Sequence, residues 1–508
     1  MTDRFAPPPL PNATDIEKVR TYIKQTWKTL TRSQKDLLAA AKDPKIEHES
    51  SQPWLVYISP QEDLDRITTS LQQILTPEEW QQLELRILPA EVDSIEEHGL
   101  LYLPHSYVVP GGRFNEMYGW DSYFIILGLL HDKEVDLAKN MVDLLAYEIE
   151  HYGVILNANR TYFLSRSQPP IFTPAILKVY GHTQDKQWLQ SMLQTIETYY
   201  YYWNVPPHLN QTTGLSHYAA LGHGASPEVV MSEIDEQGLT HYDRVKEYYR
   251  KFQFDDYDVN LYYDRERDEL TELFYQGDRT MRESGFDITN RFGPFSIDII
   301  HYAPVCLNVL LYQMESDTAK INEILGYEEI ATQWRDRAAL RKERINQFFW
   351  DEEAGLYFDY NFRTSKRRQY EYATTFYPLW MGIASESQAK RVWQNLDKFE
   401  AAGGILTSTH VSGNQWDAPF GWAPLNLIAV WGLLRYGYQE DAKRIASKFL
   451  NMAVKEFNKT GTLVEKYDVS ACSANVSDEI FFGYSSNEIG FGWTNGTILE
   501  LLKIVENC

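Results

Sequence analysis

From about residue 120 to the C-terminus, apolar residues recur at three- and four-residue steps in segments that come in pairs. This spacing lays one stripe of an α-helix against a core. Segment 120–130 is followed by 134–151, 170–180 by 186–203, and 298–314 by 327–349. Then 377–384 precedes 387–399, 423–436 precedes 440–457, and a last helix is predicted over 494–506. Helical hairpins in such succession predict an all-α fold, an (α/α)6 barrel with its site loops at one end. A repeat solenoid shares the rhythm, but here the spacing is irregular and no repeat consensus is visible.

The helical pattern fails in connections rich in Gly, Asp and aromatic residues, around 105–120, 153–169, 278–295, 404–422 and 461–493. A rigid scaffold commonly carries its chemistry on such loops, so these are the candidate site segments. Upstream, the first dozen residues are proline-rich and predicted to be disordered or draped over the surface. Residues 15–41 have helical spacing and 54–58 read as a strand. The expected division is an N-terminal extension, 1–100, packing on a catalytic barrel, 101–508; a chain of 508 residues is long enough for one large barrel.

Charge and composition narrow the partners. Against 48 basic side chains stand 71 acidic ones, a formal net charge of −23, which repels nucleic acid and anionic membranes. The start of the chain lacks a secretory-type apolar stretch, and no 18-residue apolar run occurs elsewhere. The reading is a soluble, cytoplasmic protein acting on a small molecule, with its oligomeric state left open. Cys306, Cys472 and Cys508 have neither CxxC nor metal-type spacing, so no disulfide framework, metal site or cofactor is expected. Aromatic residues make up 14% of the chain; indole and phenol faces suit sugar rings, though large proteins bury many aromatics for packing alone.

Glycoside hydrolysis requires two carboxyl groups, one to protonate the leaving oxygen and one to activate water or attack the anomeric carbon. Counting acids cannot find them, but the loops can. Pro110-Gly111-Gly112-Arg113-Phe114-Asn115-Glu116-Met117-Tyr118-Gly119-Trp120-Asp121-Ser122-Tyr123 packs two glycines, an arginine, acids and aromatics ahead of a helix. Gln415-Trp416-Asp417-Ala418-Pro419-Phe420-Gly421-Trp422 is a second loop of the same character. The two resemble, in order, the two signatures of the trehalases, glycoside hydrolase family 37.

Further blocks agree with that resemblance, which covers roughly 100–500. Asn157-Ala158-Asn159-Arg160 leads into Arg166-Ser167-Gln168-Pro169-Pro170, similar to the family's Asn-Arg-Ser-Gln-Pro-Pro with Ser165 in place of Asn. Glu283-Ser284-Gly285-Phe286-Asp287 is similar to its Glu-Ser-Gly-Trp-Asp block, and Val464-Glu465-Lys466-Tyr467-Asp468 and Gly490-Phe491-Gly492-Trp493-Thr494-Asn495-Gly496 to its C-terminal blocks. The resemblance implies that Asp287 is the general acid and Glu465 the general base of an inverting α-glucosidase. It implies that Arg113, Phe114, Trp120, Asp121, Asn157, Arg166, Gln168, Gly285, Trp416, Asp417 and Trp422 bind the sugar. Asp287, after a glycine and an aromatic residue, is expected in a partly desolvated pocket that raises its pKa. Lys466 lies beside Glu465 in sequence, although strand or helix geometry can point it away. The run 199–203 reads as helix core, and His105 and His151, which flank site loops, as structural histidines.

Two family features are missing. An Arg-Pro-Glu-Ser segment is not recognisable near 238–242, and the glycine-rich stretch ending in Glu-Tyr is replaced over 471–484. Both lie where trehalases hold the leaving glucose, and Arg244, Asp478, Glu479 and Tyr484 are the candidate substitutes. α,α-Trehalose is the expected substrate; the alternatives are a smaller aglycone, as in glucosylglycerol or glucosylglycerate, and a non-catalytic sugar-binding barrel.

Overall fold

The structure, a computed structural model, describes residues 8–507 except 47, 50, 93–94, 233, 235–237, 253–256, 477–479, 481 and 485. Six helices form an inner ring: Asp121–His131, Thr173–Thr183, Val305–Leu325, Tyr377–Trp380, Ala423–Arg435 and Gly492–Asn507. Each packs on the next, and Gly492–Asn507 packs back on Asp121–His131 to close the circle. Closure needs close approach: a Cβ on Gly496 would lie 1.9 Å from the carbonyl oxygen of Phe124, and one on Gly128 would lie 2.9 Å from Gly496 Cα. Helices Val135–Tyr152, Lys186–Trp203, Glu328–Phe349, Glu386–Gln394 and Gln439–Thr460 alternate with the inner ones along the chain. The fold is an (α/α)6 barrel, and helical periodicity was the correct guide to it.

The sixth outer position is filled from a segment that the sequence reading placed outside the barrel. Helix Ala13–Leu30 packs on both Gln439–Thr460 and Gly492–Asn507. The helix expected over 15–41 stops at Leu30 because Thr31–Arg32 pair with Tyr107–Val108 instead. Trp54–Ile58 is a strand, as read, but at the centre of a three-stranded parallel sheet between Leu83–Ile87 and Leu100–Leu101. That sheet, with helix Leu64–Ile74, has a small core of its own around Val56, Ile58, Ile67 and Leu71.

Other differences have local causes. The helix expected from 298 starts at Val305, because Pro304 forces extended backbone before it and 294–301 turn more tightly. The one expected over 377–384 ends at Trp380, where Met381 and the left-handed Gly382 follow. Part of the acid loop expected over 278–295 is helical, since Glu272–Glu283 is capped at its start by Thr271. Among the described residues no helix is long and apolar enough to cross a membrane.

One buried carboxyl group in the outer layer carries a stability prediction. Glu148, in helix Val135–Tyr152, accepts from Leu156 N at 3.0 Å through one oxygen, while the other has no hydrogen bond. Burial pushes its pKa from 4.5 up to about 8. The folded chain therefore keeps a proton that the unfolded chain releases, so this group's contribution is full below about pH 4.5 and is lost as pH rises toward 8. Glu148→Gln is expected to raise the thermal midpoint at pH 8 by about 1–3 °C and to flatten its decline from pH 5 to 8. Thermal unfolding across that range checks it, and a midpoint lowered at pH 8 contradicts it.

Candidate active site

The loops at the N-terminal ends of the inner helices enclose a cavity of about 120 Å³. Its floor is aromatic. Trp120 meets Phe286, Trp416 and Trp493 at centroid distances of 5.7, 6.0 and 5.6 Å. Behind it, Trp422 lies flat on Trp416, 3.8 Å away and 3° from parallel, and donates from Nε1 to Gln415 O. Trp120 thus faces the cavity from the helix start, whereas Tyr123, one turn on, points away.

Backbone geometry aims the acid loop. Helix Glu272–Glu283 ends in Glu283, whose buried carboxylate accepts from Ser167 N at 3.1 Å, Tyr202 OH at 3.1 Å and Ala219 N at 2.8 Å. Gly285 then adopts φ +75°, and a Cβ there would press on Trp120 and Pro169 at 3.3 Å, so only glycine makes this turn without strain. The turn sends Phe286 into the floor and Asp287 to the cavity, where its main-chain carbonyl accepts from Gln415 Nε2. Its carboxylate lies 3.9 Å from Arg282 Nη1 and is 34% exposed. Asp287 is thus partly buried, and the second acid is buried more completely.

Glu465 is that acid, with a side chain only 2% exposed. Its backbone is held by Glu488 O and by Trp493 Nε1. Tyr484 OH donates to Oε1, while Oε2 accepts no hydrogen bond and lies 3.7 Å from Lys466 Nζ. Burial raises the pKa of Glu465, opposed by the Lys466 charge and the Tyr484 bond. Lys466 does not point away: its Nζ, fully buried, donates to Gln415 Oε1 at 2.8 Å and Tyr484 O at 3.0 Å. Burial brings Lys466 down to about 8.

A third carboxyl, Asp121, opens the inner helix and is fully buried. Burial, and after it the charge of Glu465, push its pKa well above the usual carboxyl range, and it lines the cavity beside Glu465 and Asp287. Gln168 Oε1 accepts from Trp120 N at 2.9 Å, and Asn157 N donates to Arg166 O at 3.1 Å. Arg166 lies over Phe163 and pairs with Glu228. These residues, with Phe114, Gly285 and Trp416, line the cavity.

Three of the residues read from sequence stand outside the lining. Arg113 is at the rim, over the Tyr484 ring at 4.8 Å and 3.4 Å from Glu488. Asp417 is buried behind the wall, accepting from Thr289, Asn290, Tyr370, Ser408 and Ser412. Trp422 backs Trp416. Conversely, Lys45, Tyr118, Glu228, Arg282, Phe491 and Trp493 line the cavity and were not selected. Of the leaving-group candidates Tyr484 lines it and Arg244 does not, while Asp478 and Glu479 lie outside the described residues. A Pro-Glu pair, Pro227-Glu228, occurs upstream of 238–242, and Glu228 lines the cavity.

His151 stacks on Tyr147 and contacts Ser59, and neither it nor His105 reaches the cavity. Among the described residues no three His, Cys, Asp or Glu side chains converge as a metal site.

Comparison with known proteins bears on this geometry. The chain is 39% identical over 443 residues to a cytosolic neutral trehalase of Neurospora crassa, covering 78% of this chain and 58% of that protein. It is 35% identical over 560 residues to one of Kluyveromyces lactis, covering 98% and 72%. The neutral trehalase Nth1 of Saccharomyces cerevisiae superposes with a TM-score of 0.80 at 33% identity, over 96% of this chain and 94% of that structure. The chain thus spans as little as three-fifths of its curated fungal relatives. A family model described as Trehalase matches residues 9–506, including every loop that frames the cavity, and the chain belongs to the trehalase family.

Proposed function

We propose that the chain hydrolyses α,α-trehalose with inversion, Asp287 protonating the leaving oxygen and Glu465 deprotonating the attacking water. The carrying observation is the asymmetry of the two carboxyls across one indole-floored cavity. Glu465 is buried, with Tyr484 binding one oxygen and no donor on the other. That second oxygen is the acceptor that would hold an attacking water. Asp287, on the more open side, sits where a leaving oxygen can reach it.

The remaining polar groups then take sugar hydroxyls. Asp121 with Asn157 and Gln168 serves the cleaved ring, held against the Trp120 and Trp416 faces. Lys45, Arg166 with Glu228, Arg282 and Tyr484 form a polar wall for the departing group, and that many donors suit a full glucose better than glycerol or glycerate. The first hundred residues are in this reading an extension serving the barrel of 101–508, with Ala13–Leu30 completing its outer layer and Lys45 completing its site. Cytosolic residence is proposed from the names of the fungal relatives.

Inversion requires room for water between the carboxyls, about 6.5–9.5 Å. Proton NMR of the first products is expected to show α- and β-glucose in equal amounts, the β-anomer from the attacked ring and the α-anomer from the leaving one. Initial α-glucose alone overturns the mechanism, and no glucose overturns the substrate.

A further inference from the structure

A second cavity, of about 600 Å³, opens among the inner helices and shares no lining residue with the first. It is bordered by the C-terminal ends of Tyr377–Trp380 and Ala423–Arg435 and by residues 313–320 of Val305–Leu325. Its volume lies in the range of small-molecule sites, and nothing in the proposed hydrolysis uses it.

Its lining is chemically specific. Gln313 is only 7% exposed, and its Oε1 has no hydrogen-bond partner. A buried carbonyl oxygen left in this way costs free energy unless a donor is supplied. One turn on, Asp317 accepts from Thr173 Oγ1 at 3.0 Å, and burial lifts its pKa to about 7. Trp380 and Trp431 lie near-parallel, centroids 5.7 Å apart and 19° between planes, and give the cavity an apolar border.

The charged border is Lys178, Lys320 and Arg435. Among the described residues none of the three has an ion-pair partner within 4 Å. In a chain with 71 acids and 48 bases, three unpaired cations around one cavity mark a local reversal of sign. Asp317, the acid among them, has its pKa lifted by burial against the opposing charge of Lys320, and it is one acid against three cations.

We propose that this cavity binds a phosphorylated sugar, its phosphate on Lys178, Lys320 and Arg435, its ring against the Trp380–Trp431 pair, and its hydroxyls on Gln313 and Asp317. Cations recognise the dianion and a carboxyl and an amide recognise hydroxyls, while an indole border takes the apolar face of a pyranose and ring centroids 5.7 Å apart are too close to admit a flat base between them. The site stands apart from catalysis, so its existence does not depend on the trehalose reading.

Isothermal titration of the full chain with glucose 6-phosphate, glucose and inorganic phosphate tests it. Glucose 6-phosphate is expected to bind one per chain, with glucose and phosphate each weaker by about tenfold or more. Lys320→Glu combined with Arg435→Glu, at exposed positions, is expected to weaken binding by at least about tenfold, and Trp431→Ala to weaken it as well, with trehalose kcat/KM unchanged in both. No heat at millimolar glucose 6-phosphate, binding unaffected by the charge reversal, or phosphate binding as tightly as the sugar phosphate each overturns the proposal.

Discussion

Asp287→Asn is expected to lower kcat on trehalose by about 10²–10⁴-fold while leaving hydrolysis of α-glucosyl fluoride close to that of the unaltered enzyme, because fluoride departs without a proton. Glu465→Gln is expected to lose both activities by a similar factor, since either substrate needs its water deprotonated. Folding should survive both changes. In the Glu465→Gln variant the side-chain amide would keep the Tyr484 bond, and the main chain its contacts to Glu488 and Trp493. Asp287 is a third exposed and anchored through its carbonyl. The reversed pattern, with fluoride hydrolysis rescued only in the Glu465 variant, exchanges the two roles, and near-normal trehalose turnover in either folded variant removes the assignment.

Arg160→Met is expected to destabilise the chain by about 3–5 kcal/mol. The guanidinium, fully buried, donates from Nε to Glu116 at 2.8 Å and from its Nη atoms to the carbonyls of Ala41 at 2.9 Å and Ala40 at 2.7 Å. It also lies 3.6 Å from Asp43, which accepts from Tyr162 OH. Removing it leaves buried Glu116 with Lys45 at 3.1 Å and buried Asp43 with no other ion pair among the described residues, and frees the segment that carries Lys45 into the cavity, so KM for trehalose should rise as well. Burial raises the Glu116 pKa, but Lys45 and Arg160 outweigh it and hold the group below its ordinary value. The pair's stabilisation is therefore present above the unfolded carboxyl pKa and lost as pH falls through the lower folded one. Denaturant unfolding of Arg160→Met, with Arg160→Met/Glu116→Gln beside it, checks the account. The second change should recover part of the loss, and simple additivity would show that the two groups do not interact.

The parts of the site that were legible in sequence are those where one residue type meets a local demand. Gly285 and Gly112 sit at φ +75° and +54° in crowded turns, Trp120 opens a helix that must be apolar all round, and Asp287 and Glu465 follow turns that aim them inward. Glu228 was not selected, although Pro227 before it starts a short helix, because an Arg-Pro-Glu-Ser segment was sought only near 238–242. Lys45 carried no signal at all, being one lysine in a polar turn whose value comes from Arg160 gripping the carbonyls before it. Asp417 and Trp422 lie in a motif that reads as site, yet five donors turn Asp417 inward and the strand Phe420–Trp422, paired with Lys466–Asp468, sets Trp422 behind Trp416.

The sequence by itself determined the helical hairpins and the loops that join them on the active side, because periodicity, glycine placement and motif order are properties of neighbouring residues. Only the tertiary structure decided that Ala13–Leu30 completes the outer layer, that Glu465 rather than Asp287 is the buried acid, and that Lys466 turns back to it. Those outcomes depend on burial and on charges brought together from segments hundreds of residues apart, such as Arg113 and Glu465, and desolvation is a property of the assembled wall around a group and not of its place in the chain.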